Sequence, residues 1–128
     1  MATIEATQEN FESLVTGNKM VMVDFWAPWC GPCRQFAPVF EATAAKHPDV
    51  AFVKVNTEEQ QALAGSFGIR SIPTLMIFRE QIIIYAQPGS LPPQALEQLL
   101  EKARALDMDE VRRQIAQDSA KDPTTQTP

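Results

Sequence analysis

Apolar positions fall along this chain in two rhythms, short unbroken runs and stripes at helical spacing, the pattern of a sheet covered by helices. Residues 20–26 are apolar and branched-rich except for Asp24, as in a strand buried on both faces. Residues 50–55 repeat the pattern, interrupted by Lys54. Between these runs Phe36, Val39, Phe40, Thr43 and Ala44 recur at helical spacing. Pro38 is expected to kink that helix, because it cannot donate to the carbonyl of Arg34, and Pro48 ends it. Upstream, Thr7 is placed to cap a short helix that turns Phe11, Leu14 and Val15 inward. Thr57 with Gln60 has the capping-box pattern for a helix burying Leu63 and Phe67. Residues 74–78 and 82–86 flank Arg79-Glu80-Gln81 as a hairpin. Leu96, Leu99, Leu100 and Ala103 then share one face of a helix started by Pro92-Pro93.

The sum is βαβαβα followed by ββα. Alternating strands and helices demand a largely parallel sheet covered on both faces, and the hairpin adds antiparallel strands. The expected class is therefore α/β, with a mixed five-stranded sheet, over residues 1–106. Residues 107–117 read as a short extra helix: Asp107 to Glu110 form an acidic capping box, and Met108, Val111 and Ile115 a thin apolar stripe. Residues 118–128 are Ser, Lys, Asp, Pro, Thr and Gln in the main and read as a disordered tail.

Length and charge narrow the function. The 128 residues suffice for one domain with a real core. Eleven basic against 16 acidic residues give a formal charge of −5, with no basic footprint for nucleic acid or anionic membrane. Neither a signal peptide nor an apolar run of about 20 residues is seen, so a soluble, cytoplasmic protein is expected. The only two cysteines, Cys30 and Cys33, stand three apart. In a first helical turn that spacing brings their Cβ atoms roughly 5–6 Å apart, within reach of a disulfide. In a reducing compartment such a pair is catalytic or metal-binding before it is a structural staple.

Cys30 falls where a strand-to-helix turn ends, and free amides and the helix dipole favour a thiolate there. Pro32 has no N–H, which leaves the Cys33 amide as donor to the Cys30 sulfur. Three plainer readings compete: a structural disulfide, inert thiols, and half a zinc site. Zinc wants four ligands, and with His47 the only histidine it would need a second chain. Asp24, in an apolar run on the same face as Met22 and Trp26, is expected to have a raised pKa from desolvation, partly opposed by Lys54. Such a group can accept the proton of Cys33. The alternative is that both point into water from strand ends.

Residues 24–33, Asp-Phe-Trp-Ala-Pro-Trp-Cys-Gly-Pro-Cys, resemble the active-site segment of the thioredoxin family almost residue for residue. Phe67-Gly68-Ile69-Arg70-Ser71-Ile72-Pro73-Thr74 resembles its second signature, and the likeness extends over about residues 2–106. Phe52 to Thr57 leans towards the thioredoxin-2 branch, whose N-terminal zinc module with four more cysteines is not among these residues. The resemblance implies a protein-disulfide reductase in which Cys30 attacks, Cys33 resolves, and Asp24 takes the proton with Lys54 nearby. It implies a cis Pro73 facing the cysteines, with the backbone of Ile72 pairing an extended substrate segment. Trp29, Gly31, Pro32, Ile72, Pro73 and Gly89 make up the expected substrate patch. No bound cofactor is implied, since the cysteines carry the electrons, supplied from NADPH through a thioredoxin-reductase-like flavoprotein. A monomer is expected. Gly31-Pro32 favours reduction over oxidase or isomerase behaviour, and a chaperone-like binding module is the competitor of another class.

Three departures stand out. Glu80-Gln81 replaces the Asn-Gly turn frequent in the family, so a different or looser turn is expected. Pro88 stiffens one rim of the groove, and the Met108–Ile115 helix is added. Arg34, Arg70 and His47 receive plain readings, Arg34 facing solvent and His47 as a charge partner at a helix C-terminus.

Overall fold

The structure, a computed structural model, describes residues 2–121. Strands β1 (Thr3–Glu5), β2 (Met20–Trp26), β3 (Ala51–Asn56), β4 (Thr74–Arg79) and β5 (Ile82–Pro88) form one sheet in the order β1-β3-β2-β4-β5. β1, β3 and β2 are parallel; β4 runs antiparallel to β2 and β5 antiparallel to β4. Helices α1 (Phe11–Thr16) and α3 (Gln61–Ser66) cover one face, α2 (Gly31–Lys46) and α4 (Pro93–Ala105) the other, and α5 (Met108–Lys121) follows. The mixed α/β architecture is the one expected.

β2 is the centre. Its alternation sends Val21, Val23 and Phe25 into the α1/α3 core and Met20 and Met22 into the α2/α4 core. Asp24 takes the next place on the α2 side, fully buried. Phe25, Phe40 and Phe52 are likewise fully buried, each contributing roughly 1.5–3 kcal/mol of transfer free energy. Pro38 sits within α2 without ending it. The pattern names no residues for β1, and its three residues are too few to show a period. Pairing of Thr3, Ile4 and Glu5 with Phe52, Val53 and Lys54 fixes it instead.

Two local expectations are corrected. The Thr57/Gln60 capping box does not form: α3 begins only at Gln61, and Gln60 makes no side-chain cap. The Thr57 hydroxyl donates to the Trp26 carbonyl at 3.0 Å, while Asn56 Oδ1 accepts the amides of Glu58 and Glu59 at 3.0 and 3.3 Å. Asn56 thus spends its side chain on the turn that a helix would otherwise occupy. The β4–β5 turn is also not loose. Glu80 and Gln81 have φ of +52° and +70°, both left-handed, as in a tight primed hairpin turn. Such backbone costs about 1–3 kcal/mol per non-glycine residue, and tertiary contacts hold it. The Glu80 amide donates to the Lys19 carbonyl at 2.8 Å, and Arg112 of α5 pairs with the Glu80 carboxylate at 2.8 Å.

α5 starts as expected, with Asp107 Oδ1 accepting the amides of Asp109 and Glu110 at 3.0 and 3.2 Å and Met108 buried. It runs on to Lys121, so residues 118–121 are helical rather than tail; the pairs Arg112–Asp109 and Arg113–Glu110 support a polar helix with little burial. The remainder of the expected tail, 122–128, lies outside the described residues. Arg112 fastens α5 to the hairpin turn, beside the Met20 end of β2. The Trp26 end lies a strand length away, about 20 Å at 3.3 Å per residue.

Candidate active site

The chain leaves β2 at Trp26, turns through Ala27, Pro28 and Trp29, and enters α2 with Cys30 as N-cap. The Cys30 amide donates to the Ala27 carbonyl at 3.2 Å, closing that turn. Cys30 and Cys33 form a disulfide with Cα atoms 5.2 Å apart. The Cys33 amide donates to Cys30 Sγ at 3.2 Å, the bond expected from Pro32 lacking an N–H. Gly31 is half-buried and Pro32 exposed in this first turn. A free helix N-terminus and a directed amide both stabilise negative charge on Cys30 once the disulfide is reduced. Cys33 is the more enclosed sulfur residue, 2% exposed against 5% for Cys30.

Across from the disulfide runs the loop between α3 and β4. The Ile72–Pro73 peptide is cis, and the Ile72 carbonyl oxygen stands 3.8 Å from Cys30 Sγ. The Gly89 amide donates to the Pro73 carbonyl at 2.7 Å, tying the end of β5 to this loop. Gly89 has φ +104°, a conformation that side-chain-bearing residues rarely adopt. Pro88 pairs opposite Thr74 at this rim. Trp29 is 64% exposed beside Cys30, an apolar surface with no packing duty. Of the expected patch, the Ile72 carbonyl thus lies beside Cys30 Sγ, Trp29 is exposed next to Cys30 in the chain, Pro73 is buried and Gly89 is bonded to it.

Beneath this surface lies Asp24. It is fully buried, and neither carboxylate oxygen has a hydrogen-bond partner among the described residues. Burial pushes its pKa up from 3.8 to about 7, with the Lys54 charge pulling the other way. Lys54 pairs with Asp24 in β3–β2 register, and its Nζ sits 4.5 Å from the centre of the Trp26 ring. Asp24 thus does not point into water. Trp26 is half-buried, and its Nε1 is also without a partner among the described residues.

His47 caps the far end of α2, about 25 Å from Cys30 at 1.5 Å per residue, too far to share a metal with the cysteines. There it bonds Glu97 through Nε2 at 2.8 Å and Arg104 through Nδ1 at 2.9 Å, the plain role expected of it. Among the described residues no cluster of His, Cys, Asp or Glu is arranged to hold a metal ion, and no helix is long and apolar enough to cross a membrane. One contact escaped the sequence reading: Arg34 is exposed, but its guanidinium donates to the Pro28 carbonyl at 2.9 Å, bracing the turn that carries Trp29. Its place four residues after the N-cap is the signal that a long side chain can reach back over that turn.

A family model described as Thioredoxin matches residues 2–102. A Streptomyces coelicolor chain provisionally named thioredoxin 2 is 56% identical over 119 residues, spanning 93% of this chain and 89% of its own length. That span leaves nine of the 128 residues outside, so at least 13 of residues 107–128 fall within it, and the α5 region is shared with this relative. Bacillus subtilis thioredoxin is 40% identical over 103 residues, 80% of this chain and 98% of that one. Among solved structures, a thioredoxin mutant from Halobacterium salinarum superposes with a TM-score of 0.76 at 33% identity, covering 82% of this chain and 93% of that chain.

Proposed function

Because this chain belongs to the thioredoxin family, we propose that Cys30 is the attacking sulfur and Cys33 the resolving sulfur of its reaction. The activity itself is protein-disulfide reduction by a Cys30/Cys33 dithiol–disulfide cycle, a thiol–disulfide oxidoreductase reaction. The observation that carries the residue roles is the asymmetry of the pair. Cys30 is the helix cap, receives the Cys33 amide and adjoins the exposed Trp29, whereas Cys33 lies inside the first turn.

In the dithiol form the Cys30 thiolate attacks a substrate disulfide, and the first substrate thiolate departs. A mixed disulfide now joins Cys30 to the substrate. Asp24 accepts the Cys33 proton, directly or through water; a carboxyl titrating at about 7 is divided between acid and base near neutral pH. The Cys33 thiolate attacks Cys30 Sγ, the second substrate thiolate leaves, and the Cys30–Cys33 disulfide results. The two electrons have passed from this chain to the substrate. Lys54 limits how far the Asp24 pKa rises. Trp29, Gly31, Pro32, Ile72, Pro73 and Gly89 form the surface against which the substrate lies.

The same reading places the chain as a cytoplasmic monomer in cellular electron transport, with residues 1–106 as catalytic unit and α5 as an accessory at the opposite pole. NADPH recharges it through a thioredoxin-reductase-like flavoprotein, with no cofactor bound to this chain. The test is a coupled assay containing NADPH, such a flavoprotein and a disulfide-linked protein substrate. NADPH oxidation is expected to depend on this chain and to stop with Cys30→Ser. A Cys30→Ser chain that sustains it, or a wild-type chain that adds nothing, overturns the reading.

A further inference from the structure

The face of the sheet that α1 and α3 cover is left open at its far side, beside β5. A groove of about 250 Å³ runs there between the loop after α3 and the end of β5. Its floor and wall are apolar: buried Met76, half-buried Phe67 and Ile69, and exposed Ala86 and Pro88. The groove meets the disulfide surface directly, since its lining residues Ser71, Thr74 and Pro88 are the chain neighbours of Ile72, Pro73 and Gly89.

Arg70 is the one charged side chain lining it. Its position is built by the end of α3. Gly68, at φ +66°, turns the chain, while the Gly68 and Ile69 amides donate to the Gly65 and Ala64 carbonyls at 3.0 and 3.2 Å. Arg70 is exposed and has no hydrogen bond or ion pair among the described residues. It is thus an unpaired cation, among the described residues, in a chain of formal charge −5. Arg34, which follows Cys33 directly in sequence, is by contrast engaged with the Pro28 carbonyl.

We propose that this groove is a specificity subsite for the stretch of a protein substrate flanking its attacked cysteine, and that Arg70 selects an acidic residue there. The inference rests on the reading of Cys30 as the attacking sulfur at this surface. A segment lying extended against Ile72 advances about 3.3 Å per residue. Arg70 lines the groove two residues before Ile72, so a carboxylate a few residues from the attacked cysteine is within reach of its long side chain. An apolar neighbour settles on Met76 and Ala86. The edge of β5 is a poorer place for the same segment. With Gly89 and Pro73 as a hydrogen-bonding pair, residue 88 faces outward from the sheet, and proline offers no donor there. The substrate class is a protein disulfide with an acidic residue close to the attacked cysteine.

The test uses the intact chain and two peptide disulfides that differ in one residue, Glu or Lys, two positions from the attacked cysteine. Bis(2-hydroxyethyl) disulfide serves as a neutral substrate for the wild type. The wild type is expected to reduce the Glu peptide with kcat/KM roughly three- to tenfold above the Lys peptide at low salt, with the ratio collapsing towards one at about 0.5 M salt. The Glu/Lys ratio, taken within each variant so that overall losses cancel, is expected to flatten in Arg70→Ala and to invert in Arg70→Glu. Equal rates for the two peptides with the wild type overturn the subsite, and so does a ratio that Arg70→Glu leaves unchanged. Failure of the wild type to reduce even the neutral disulfide overturns the underlying reading instead.

Discussion

Cys33→Ser is expected to convert the chain from a turnover catalyst into a covalent trap. Cys30 keeps its place as helix cap and its amide donor, because the residue 33 backbone is unchanged, so the first attack proceeds. The hydroxyl of serine does not expel the substrate thiolate, so the mixed disulfide persists. Steady-state reduction of a protein disulfide falls on the order of 10³-fold or more. Mass spectrometry should find about one substrate per chain, linked through Cys30 and released by dithiothreitol. Cys30→Ser is expected to form no such adduct, because Cys33 is enclosed in the helical turn. Equal trapping by the two variants would mean that attack is not assigned to one sulfur, and the asymmetry of the pair would lose its meaning.

Asp24→Asn carries the second large effect, in stability as well as catalysis. In the oxidised protein the Asp24 pKa is raised from 3.8 to about 7 by burial. Below about pH 4 the carboxyl is protonated both folded and unfolded and costs nothing as a charge. As pH rises from there, the unfolded chain ionises while the folded one keeps its proton, and stability falls until the folded group also ionises near 7. The full shift corresponds to at most about 4 kcal/mol, at about 1.4 kcal/mol per pH unit. Asparagine removes the titration. Urea unfolding of the oxidised forms should therefore show the variant gaining on the wild type by roughly 2–4 kcal/mol between pH 4 and pH 8. A stability difference independent of pH would show that Asp24 titrates normally. The same substitution should slow substrate release from the mixed disulfide by roughly 10- to 100-fold at pH 7, because Cys33 loses its proton acceptor. An unchanged release rate would remove Asp24 from that role.

Much of this was legible in residues 20–33. A central strand buried on both faces shows as an unbroken apolar run, and Asp24 shows as the one polar residue inside it. Cys30 and Cys33 announce themselves by spacing, and the Cys33 amide bond follows from the chemistry of Pro32. The failures share a cause, which is that long-range contacts overrode local preference. Glu80 and Gln81 adopt left-handed backbone against their own tendency in a turn where Lys19 and Arg112, from elsewhere in the chain, hold Glu80. Thr57 looks like a cap until Asn56, one residue earlier, takes the turn amides. β1 has no internal signal because its register belongs to β3. The Arg34 contact is silent in the sequence because its partner, a backbone carbonyl, leaves no mark in a side-chain pattern. The cis Ile72–Pro73 peptide is implied by the resemblance to thioredoxin, and spacing alone does not contain it.

The central claim is that the pair donates electrons to protein disulfides, and its reduction potential tests that most directly. Equilibration of the Cys30–Cys33 pair with a graded thiol–disulfide buffer, read by thiol alkylation and mass, gives the value. The account predicts a potential close to the roughly −270 mV typical of thioredoxin, low enough to reduce most accessible disulfides. A value between about −180 and −120 mV, where isomerases and oxidases work, would contradict it.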